Sequence, residues 1–145
     1  MTNSGDARPT VGVIGLGAIG AAVAASLERA GLAVAVGDVR DEALAPFAER
    51  GVPTFTDAVA LGEHCDVVLV AVVNDAQVRT VVDGPTGVLA AEHPPAHVVV
   101  LSTVHPDTIH AVATAAKPLG CTVLDCGVSG GPGAAAQGLL IGMVG

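Results

Sequence analysis

The chain has almost no aromatic residues: its 145 residues include two Phe and neither Trp nor Tyr. Without aromatic rings the surface offers no platform on which unpaired bases could stack, which argues against binding of single-stranded nucleic acid. Basic residues are also scarce, since six Lys and Arg stand against fourteen Asp and Glu and leave a formal net charge of -8. We therefore expect neither a nucleic acid nor an anionic membrane surface as a partner.

A membrane span and a cysteine framework are lacking as well. No apolar run reaches the ~18 residues that a membrane span needs, although 51% of the residues are hydrophobic. The three cysteines, Cys65, Cys121 and Cys126, are odd in number and fit no zinc spacing, and we identify no signal peptide before them. These features predict reduced thiols in a cytoplasmic protein without a metal site.

Five histidines raise the question of a metal or acid–base site. His93 and His97 are separated by two prolines and cannot share a helical face, and His105 and His110 are five residues apart. We interpret all five histidines as structural or surface residues. His105 is the exception of interest, because it lies next to a predicted strand end that carries the hydroxyl groups of Ser102 and Thr103.

The sequence does contain short apolar runs that alternate with helical patterns. Buried strands are predicted at 10–14, 32–36, 52–55, 66–73, 97–101, 121–125 and 139–144. Helices are predicted at 18–30, 41–50, 75–82 and 106–117, and Pro46 predicts a kink or a late start in the second of them. This alternation predicts a Rossmann-type α/β fold, a doubly wound and mostly parallel sheet, as one domain over 10–145 behind a flexible tail at 1–9.

A glycine motif lies between the first predicted strand and the first predicted helix. The stretch VGVIGLGAIG holds Gly15, Leu16, Gly17, Ala18, Ile19 and Gly20 in a G-x-G-x-x-G pattern. In this context Gly15 permits the tight turn, Gly17 lets a pyrophosphate approach the backbone, and Gly20 lets the helix pack on the strand. The free N–H groups of the helix N-terminus would then bind the phosphates. The pattern predicts a dinucleotide site; the alternative is a glycine-rich turn without a ligand.

An acidic residue at the end of the second predicted strand bears on the cofactor. Asp38 lies eighteen residues after Gly20, where a carboxylate accepts hydrogen bonds from both adenosine ribose hydroxyls and repels a 2′-phosphate. Asp38 and the following Val39 therefore favour NAD over NADP. Arg40 keeps the second possibility open, because it could turn toward a 2′-phosphate. Asp38 could also be a solvated loop acid or a helix cap.

Further candidates follow the later strands, because ligands of such folds bind at the carboxyl ends of the strands. Val72, Val73 and Asn74 end the fourth predicted strand. Ser102 and Thr103 end the fifth, where they could reach the nicotinamide half of the cofactor or cap the next helix. Ser129, Gly130 and Gly131 follow the sixth predicted strand and could form either a binding turn or only a tight turn.

Together these motifs resemble the N-terminal domain of the β-hydroxyacid dehydrogenases, a group that includes 3-hydroxyisobutyrate and L-threonate dehydrogenases, tartronate semialdehyde reductase and, more distantly, 6-phosphogluconate dehydrogenase and the imine reductases. The resemblance covers 10–145 and rests on VGVIGLGAIG, VVNDAQV, LSTVHP and DCGVSGGPGAAAQGLLIGMVG. The chain departs from the usual pattern at Val73 and Asn74, where Leu-Pro is common, and at Gly127, where proline is common.

The resemblance implies roles for the candidates and an activity for the intact protein. The motif at 15–20 and Asp38 would hold the cofactor, with Val73, Asn74 and Thr103 on its nicotinamide side. Ser129, Gly130 and Gly131 would bind a small hydroxy acid. Hydride would pass between the alcohol carbon of that acid and the nicotinamide.

The family's catalytic lysine and its C-terminal helical domain lie after this region and have no counterpart in the chain. The one lysine, Lys117, is predicted at the far end of a helix and is assigned no catalytic role. We therefore expect little turnover from this chain alone, an exposed apolar patch near 139–144, and association with itself or with the absent domain. A stand-alone NAD-binding module and the cofactor half of an imine reductase-like enzyme remain as alternatives.

Overall fold

A computed structural model describes residues 7–145 of the chain. Most of the predicted tail, residues 1–6, lies outside the described part, and residues 7–9 are exposed and irregular. The remainder forms a layered α/β fold around one sheet.

The sheet contains seven strands within the described residues. In chain order they are β1 (Thr10–Ile14), β2 (Ala33–Gly37), β3 (Thr54–Phe55), β4 (Val67–Val70), β5 (His97–Val100), β6 (Thr122–Ser129) and β7 (Ile141–Val144). Their spatial order is β3-β2-β1-β4-β5-β6-β7, with β7 antiparallel to β6 and every other pair parallel. The predicted doubly wound and mostly parallel sheet is therefore confirmed.

Helices cover both faces of the sheet. They are α1 (Ala18–Arg29), α2 (Asp41–Ala48), α3 (Ala58–His64), α4 (Asp75–Val82), α5 (Pro106–Ala116) and α6 (Gly131–Gln137). Leu44 and Phe47 of α2 and Ala24 of α1 pack on one face, and α3, α4 and α5 contribute to a larger core on the other. Both cores are made almost entirely of Ala, Val, Leu and Ile, which suits central strands that are covered on both faces.

The structure corrects several predicted boundaries. The strand predicted over 66–73 ends at Val70, because the chain then leaves the sheet to begin α4. The strand predicted over 121–125 continues to Ser129, because its second half pairs with β7. Helices α3 and α6 were not predicted from the sequence. Helix α2 begins at Asp41 and contains Pro46, so the predicted late start is wrong.

The long strand β6 has two differently paired halves. Residues 122–125 pair with β5, whereas residues 126–129 pair with β7, so the second half extends past the end of β5. This two-stranded extension leaves β7 uncovered, and Leu139, Ile141, Met143 and Val144 are each at least 61% exposed. The predicted exposed patch is therefore confirmed. Among the described residues no helix is long and apolar enough to cross a membrane.

Candidate functional site

The candidate site lies at the carboxyl edge of the sheet between β1 and β4. From β1 the chain proceeds to β2 on one side, and the later strands β4, β5 and β6 lie on the other. The strand order therefore reverses between β1 and β4, and this crevice is where parallel α/β sheets bind ligands. The glycine motif at 15–20 leaves β1 directly at the crevice.

Each glycine of the motif meets a different steric requirement. Gly15 has φ +92°, and a Cβ there would lie 2.5 Å from the carbonyl oxygen of Ala71. A Cβ on Gly20 would lie 1.8 Å from the carbonyl oxygen of Gly15, so the first turn of α1 packs directly on the loop. Gly17 is exposed, and a Cβ there would meet no atom within 4 Å. The space above Gly17 is thus open to a ligand, whereas Gly15 and Gly20 shape the protein itself.

The N-terminus of α1 is left free to bind an anion. Gly17 is the N-cap and supplies no side-chain acceptor, and the first turn carries no acidic residue. The first helical bond runs from the N–H of Ala21 to Gly17, and in the described part of the chain the N–H groups of Ala18 and Ile19 donate to no protein acceptor. Uncapped N–H groups at the positive end of a helix suit phosphate oxygens.

Asp38 faces this loop from the end of β2. Its Oδ2 accepts a hydrogen bond of 2.8 Å from the N–H of Leu16. Partial burial raises the pKa of Asp38, but the hydrogen bonds from Arg40 and Leu16 outweigh burial and leave the pKa below its ordinary value. Asp38 is therefore a carboxylate near neutral pH. The structure places it beside the glycine loop, as a role in ribose binding requires.

A cavity of about 850 Å³ connects these features. Gly15, Gly17 and the three residues 38–40 line one side of it, and Val72 and Val73 line another. The rest of the lining was not predicted from the sequence. It comes from the ends of β1 and β4, from β3, α3 and α4, and from the loops beside them: Ile14, Phe55, Thr56, Asp57, Ala58, Val59, Ala71, Gln77, Thr80, Val81 and Thr86. The glutamine had one local signal, because it stands three residues after a helix-capping asparagine. The cavity is large enough for an adenosine group.

Asn74 and Ser102 are occupied by the protein. The Asn74 side chain accepts a hydrogen bond of 2.9 Å from the N–H of Gln77 and caps α4. Ser102 is buried, and its hydroxyl donates to the carbonyl of Val72 over 2.8 Å. Ser102 therefore joins the ends of β4 and β5, contrary to the expectation that its hydroxyl could reach the cofactor. The cap of α5 is His105, whose Nδ1 accepts from the N–H of Asp107, so Ser102 and Thr103 do not cap that helix.

Thr103 and the turn at Ser129, Gly130 and Gly131 lie outside the cavity lining. Thr103 and Ser129 are exposed at the carboxyl edge. Gly130 and Gly131 have φ values of +122° and +70°, a conformation that side chains disfavour, and they lead into α6. β6 is three strands from β1, which is about 14 Å at the usual strand spacing. The structure thus places the proposed substrate residues on the far side of β4 and β5 from the glycine loop.

The remaining titratable residues lie away from this crevice or serve the fold. His93 contacts Glu63 through Nδ1 over 2.6 Å on the surface, and the His64 ring packs 5.2 Å from the ring of Phe55. Lys117 caps the C-terminus of α5, at the end of the helix opposite the carboxyl edge. Within residues 7–145 no group of three His, Cys, Asp or Glu side chains could hold a metal ion.

Comparisons with known proteins agree with this geometry. L-threonate dehydrogenase of Cupriavidus necator is 43% identical over 128 residues, which are 88% of this chain and 43% of that protein. 3-Hydroxyisobutyrate dehydrogenase of Pseudomonas aeruginosa is 34% identical over 93% of this chain and 45% of its own length. The crystal structure of 3-hydroxyisobutyrate dehydrogenase from Salmonella typhimurium has a TM-score of 0.84 and 33% identity over 93% of this chain and 47% of that chain.

The chain thus spans less than half the length of these relatives. A family model described as the NAD binding domain of 6-phosphogluconate dehydrogenase matches residues 10–145, from the first residue of β1 to the last residue of the chain. The matched segment contains the whole glycine loop, Asp38 and the cavity between them. The chain therefore belongs to the family of the NAD-binding domain of 6-phosphogluconate dehydrogenase.

Proposed function

We propose that this chain is the cofactor-binding half of a β-hydroxyacid dehydrogenase. One observation carries the proposal: the uncapped N-terminus of α1 and the carboxylate of Asp38 border the same cavity. The first group binds phosphates and the second binds ribose hydroxyls, and a dinucleotide contains both. NAD fits the site because Gly17 leaves open the space that the pyrophosphate would fill.

In this assignment the adenosine group lies in the cavity, against Val39 and Val73. Val73 would then contact the adenosine half, and not the nicotinamide half that the family resemblance implies. These two side chains are 86% and 84% exposed, which is unusual for valine and is explained if an adenine ring covers them. The cofactor then extends across β4 and β5 toward Thr103 and β6. Bound NAD supplies the hydride acceptor for oxidation of an alcohol carbon.

The turn after β6 suits the carboxylate of a small hydroxy acid. The two glycines, Gly130 and Gly131, expose backbone N–H groups without a side chain in the way, and Ser129 adds a hydroxyl donor. L-Threonate and 3-hydroxyisobutyrate, which name the relatives' activities, are acids of this class. The role of general base is assigned to no residue of this chain, since Lys117 lies at the opposite edge of the sheet.

Titration with NADH, followed by the fluorescence of the cofactor, tests the first half of the proposal. The absence of Trp and Tyr leaves little protein background. We expect saturable binding to the parent chain. Gly17→Ala should lose at least about tenfold in affinity, because its Cβ would fill the space of the pyrophosphate and displace it from the helix N–H groups. Gly31→Ala is not a suitable control because Gly31 has φ +81°. Gly133→Ala is suitable, since a Cβ there meets nothing within 4 Å.

Addition of L-threonate or 3-hydroxyisobutyrate to the NADH-saturated chain tests the second half. A change in cofactor fluorescence that is lost in Ser129→Ala supports the substrate turn. Thr122→Ala is the matched control, because Thr122 is an exposed hydroxyl residue at the other end of the same strand. NADH binding without any response to hydroxy acids would favour a stand-alone NAD-binding module.

A further inference from the structure

The carboxylate of Asp38 has protein donors at all four of its acceptor positions. Oδ2 accepts from the N–H of Leu16 at 2.8 Å and from Arg40 Nη2 at 3.0 Å. Oδ1 accepts from the backbone N–H of Arg40 at 2.9 Å and from Arg40 Nε at 3.0 Å. A carboxylate offers about four lone-pair positions, so no position is left for the ribose hydroxyls that Asp38 is expected to bind.

Two of these four donors are fixed by the fold and two can be removed. The N–H groups of Leu16 and Arg40 belong to the backbone of the glycine loop and of the turn after β2. The other two belong to the guanidinium of Arg40, whose side chain is 50% exposed, whereas that of Asp38 is 7% exposed. A ribose has two vicinal hydroxyls, and departure of the guanidinium frees two acceptor positions. NAD therefore binds Asp38 in full only after Arg40 has moved.

The guanidinium is held weakly enough for this movement. Among the described residues its one further hydrogen bond runs from Nη2 to the carbonyl oxygen of Leu16, a long contact of 3.3 Å. The guanidinium is half-exposed, and Asp38 keeps two backbone N–H donors when the guanidinium leaves, so competition by Arg40 reduces NADH affinity by about fivefold. Arg40 lines the cavity beside Asp38, so a displaced guanidinium stays within reach of the 2′ position of the ribose.

We propose that Arg40 reads the 2′ position of the cofactor ribose: a 2′-hydroxyl displaces it from Asp38, and a 2′-phosphate takes it over as a ligand. The inference rests on the proposed function and changes one expectation from the sequence. Asp38 alone would exclude a 2′-phosphate, but Arg40 neutralises its charge and presents two N–H donors in a fork that matches phosphate oxygens. The site therefore accepts NADP as well as NAD, and Arg40 controls the ratio of their dissociation constants.

The test compares Arg40→Ala with the parent chain by titration with NADH and NADPH. In the parent chain we expect the two dissociation constants to lie within about tenfold of each other. In Arg40→Ala we expect NADPH to bind about ten- to a hundredfold more weakly, the effect of one lost charged contact. NADH should bind equally well or up to about fivefold more tightly. Adenosine 2′,5′-bisphosphate and 5′-AMP should repeat this pattern, because they lack the nicotinamide half.

Arg79→Ala is the matched control. Arg79 pairs with Asp83 with side-chain exposures of 50% and 8%, almost the same as the pair of Arg40 and Asp38, and it does not line the cavity. Arg79→Ala changes the net charge by the same amount as Arg40→Ala. It should leave the ratio of the NADPH and NADH dissociation constants unchanged. The helix α2 should persist in Arg40→Ala, because position 40 supports it through its backbone carbonyl, and circular dichroism checks this.

The outcomes separate the two proposals. The parent chain could bind NADH while Arg40→Ala leaves the ratio of the NADPH and NADH dissociation constants unchanged. That outcome would reject the inference but not the proposed function. An equal loss of both cofactors in Arg40→Ala would also reject it, since Arg40 would then serve only the shape of the site. Absence of NADH binding to the parent chain would reject the proposed function and the inference with it.

Discussion

Gly20 packs so tightly on Gly15 that a Cβ at position 20 would lie 1.8 Å from the Gly15 carbonyl oxygen. No backbone can accommodate that overlap without moving α1 away from the loop. We expect Gly20→Ala to lower the free energy of unfolding by about 1–3 kcal/mol or more. Gly17→Ala meets no atom within 4 Å and should change it by less than about 1 kcal/mol. Urea denaturation measures both, and equal stabilities of the two variants would contradict the steric assignment.

Thr108 of α5 donates a hydrogen bond of 2.6 Å to Asp75 Oδ1 at the start of α4, and the same oxygen accepts from the N–H of His105. These bonds hold the start of α5 against α4 next to Thr103. We expect Thr108→Val to lower the melting temperature. Thr114→Val is the control, because the Thr114 hydroxyl donates only to His110 within the same helix. A lower melting temperature for the control than for Thr108→Val would count against the role of this bridge.

Stability should fall in acid because several carboxyls have lowered pKa values in the folded chain. The hydrogen bond from Arg50 lowers the pKa of Glu28 below its ordinary 4.5. The unfolded chain then takes up this proton at a higher pH than the folded chain does. The stability contributed by the pair is complete above the unfolded pKa and is lost as pH falls through the folded value.

Urea denaturation at a series of pH values between 7 and 3 measures this loss. Glu28→Gln should reduce the fall in stability below about pH 4.5. Glu92→Gln is the control, since Glu92 is an exposed glutamate that forms no ion pair among the described residues. Identical acid profiles for the parent chain and Glu28→Gln would contradict the assignment.

Stability should also fall in alkali through a buried thiol. Burial, with a smaller effect of Asp66, raises the pKa of Cys65 from 9.0 to about 12. The unfolded chain releases this proton near pH 9, so the contribution of Cys65 is complete below that pH and is lost as pH rises toward 12. The chain has no Tyr and one Lys, so few other groups titrate in this range. Cys65→Ala should therefore show a flatter stability profile above pH 9 than the half-buried control Cys126→Ala.

The exposed side chains around β7 should promote association. Ile141 and Met143 are 66% and 61% exposed on a strand that has no neighbour on its outer side within the described residues. We expect sedimentation velocity to show dimers or larger species whose fraction falls in the double variant Ile141→Lys and Met143→Lys. Leu119→Lys is the control, because Leu119 is 49% exposed but lies in the turn after α5. A sharply monomeric parent chain would contradict the expectation.

The elements that sequence predicted best have a strong local pattern. β1 and α4 are found at their predicted boundaries, and α1 ends one residue early. Helix α3 escaped prediction because AVALGEH is short and contains Gly62, a poor helix former whose space is required by close packing on Val88. Helix α6 was not predicted because GPGAAAQ begins with Gly, Pro and Gly, which are poor helix formers. Packing against α1 stabilises this helix in the fold.

Only part of the candidate site could be predicted from the sequence. The placement of Asp38 beside the glycine loop could be predicted because the motif relates residue types at a fixed distance along the chain. The lining from Thr80 and Val81 could not be predicted, since only the tertiary packing of α4 shows which of its faces meets the cavity. The position of Ser102 at the end of a strand did not predict its contact. Its hydroxyl donates to the carbonyl oxygen of Val72 and not to a ligand site.

In the proposed assignment, the length of strand β6 sets the distance between the cofactor and the turn at 129–131. Val100 at the end of β5 pairs with Asp125, and Ser129 follows four residues later on the same rigid strand, about 13 Å further along. An insertion or deletion of one residue in that interval would change this reach by about 3 Å and turn Ser129 to the other face of the strand. In the proposed function, the size of the acid that fits beside the cofactor would therefore depend on a strand length as well as on the identity of the residues that contact it.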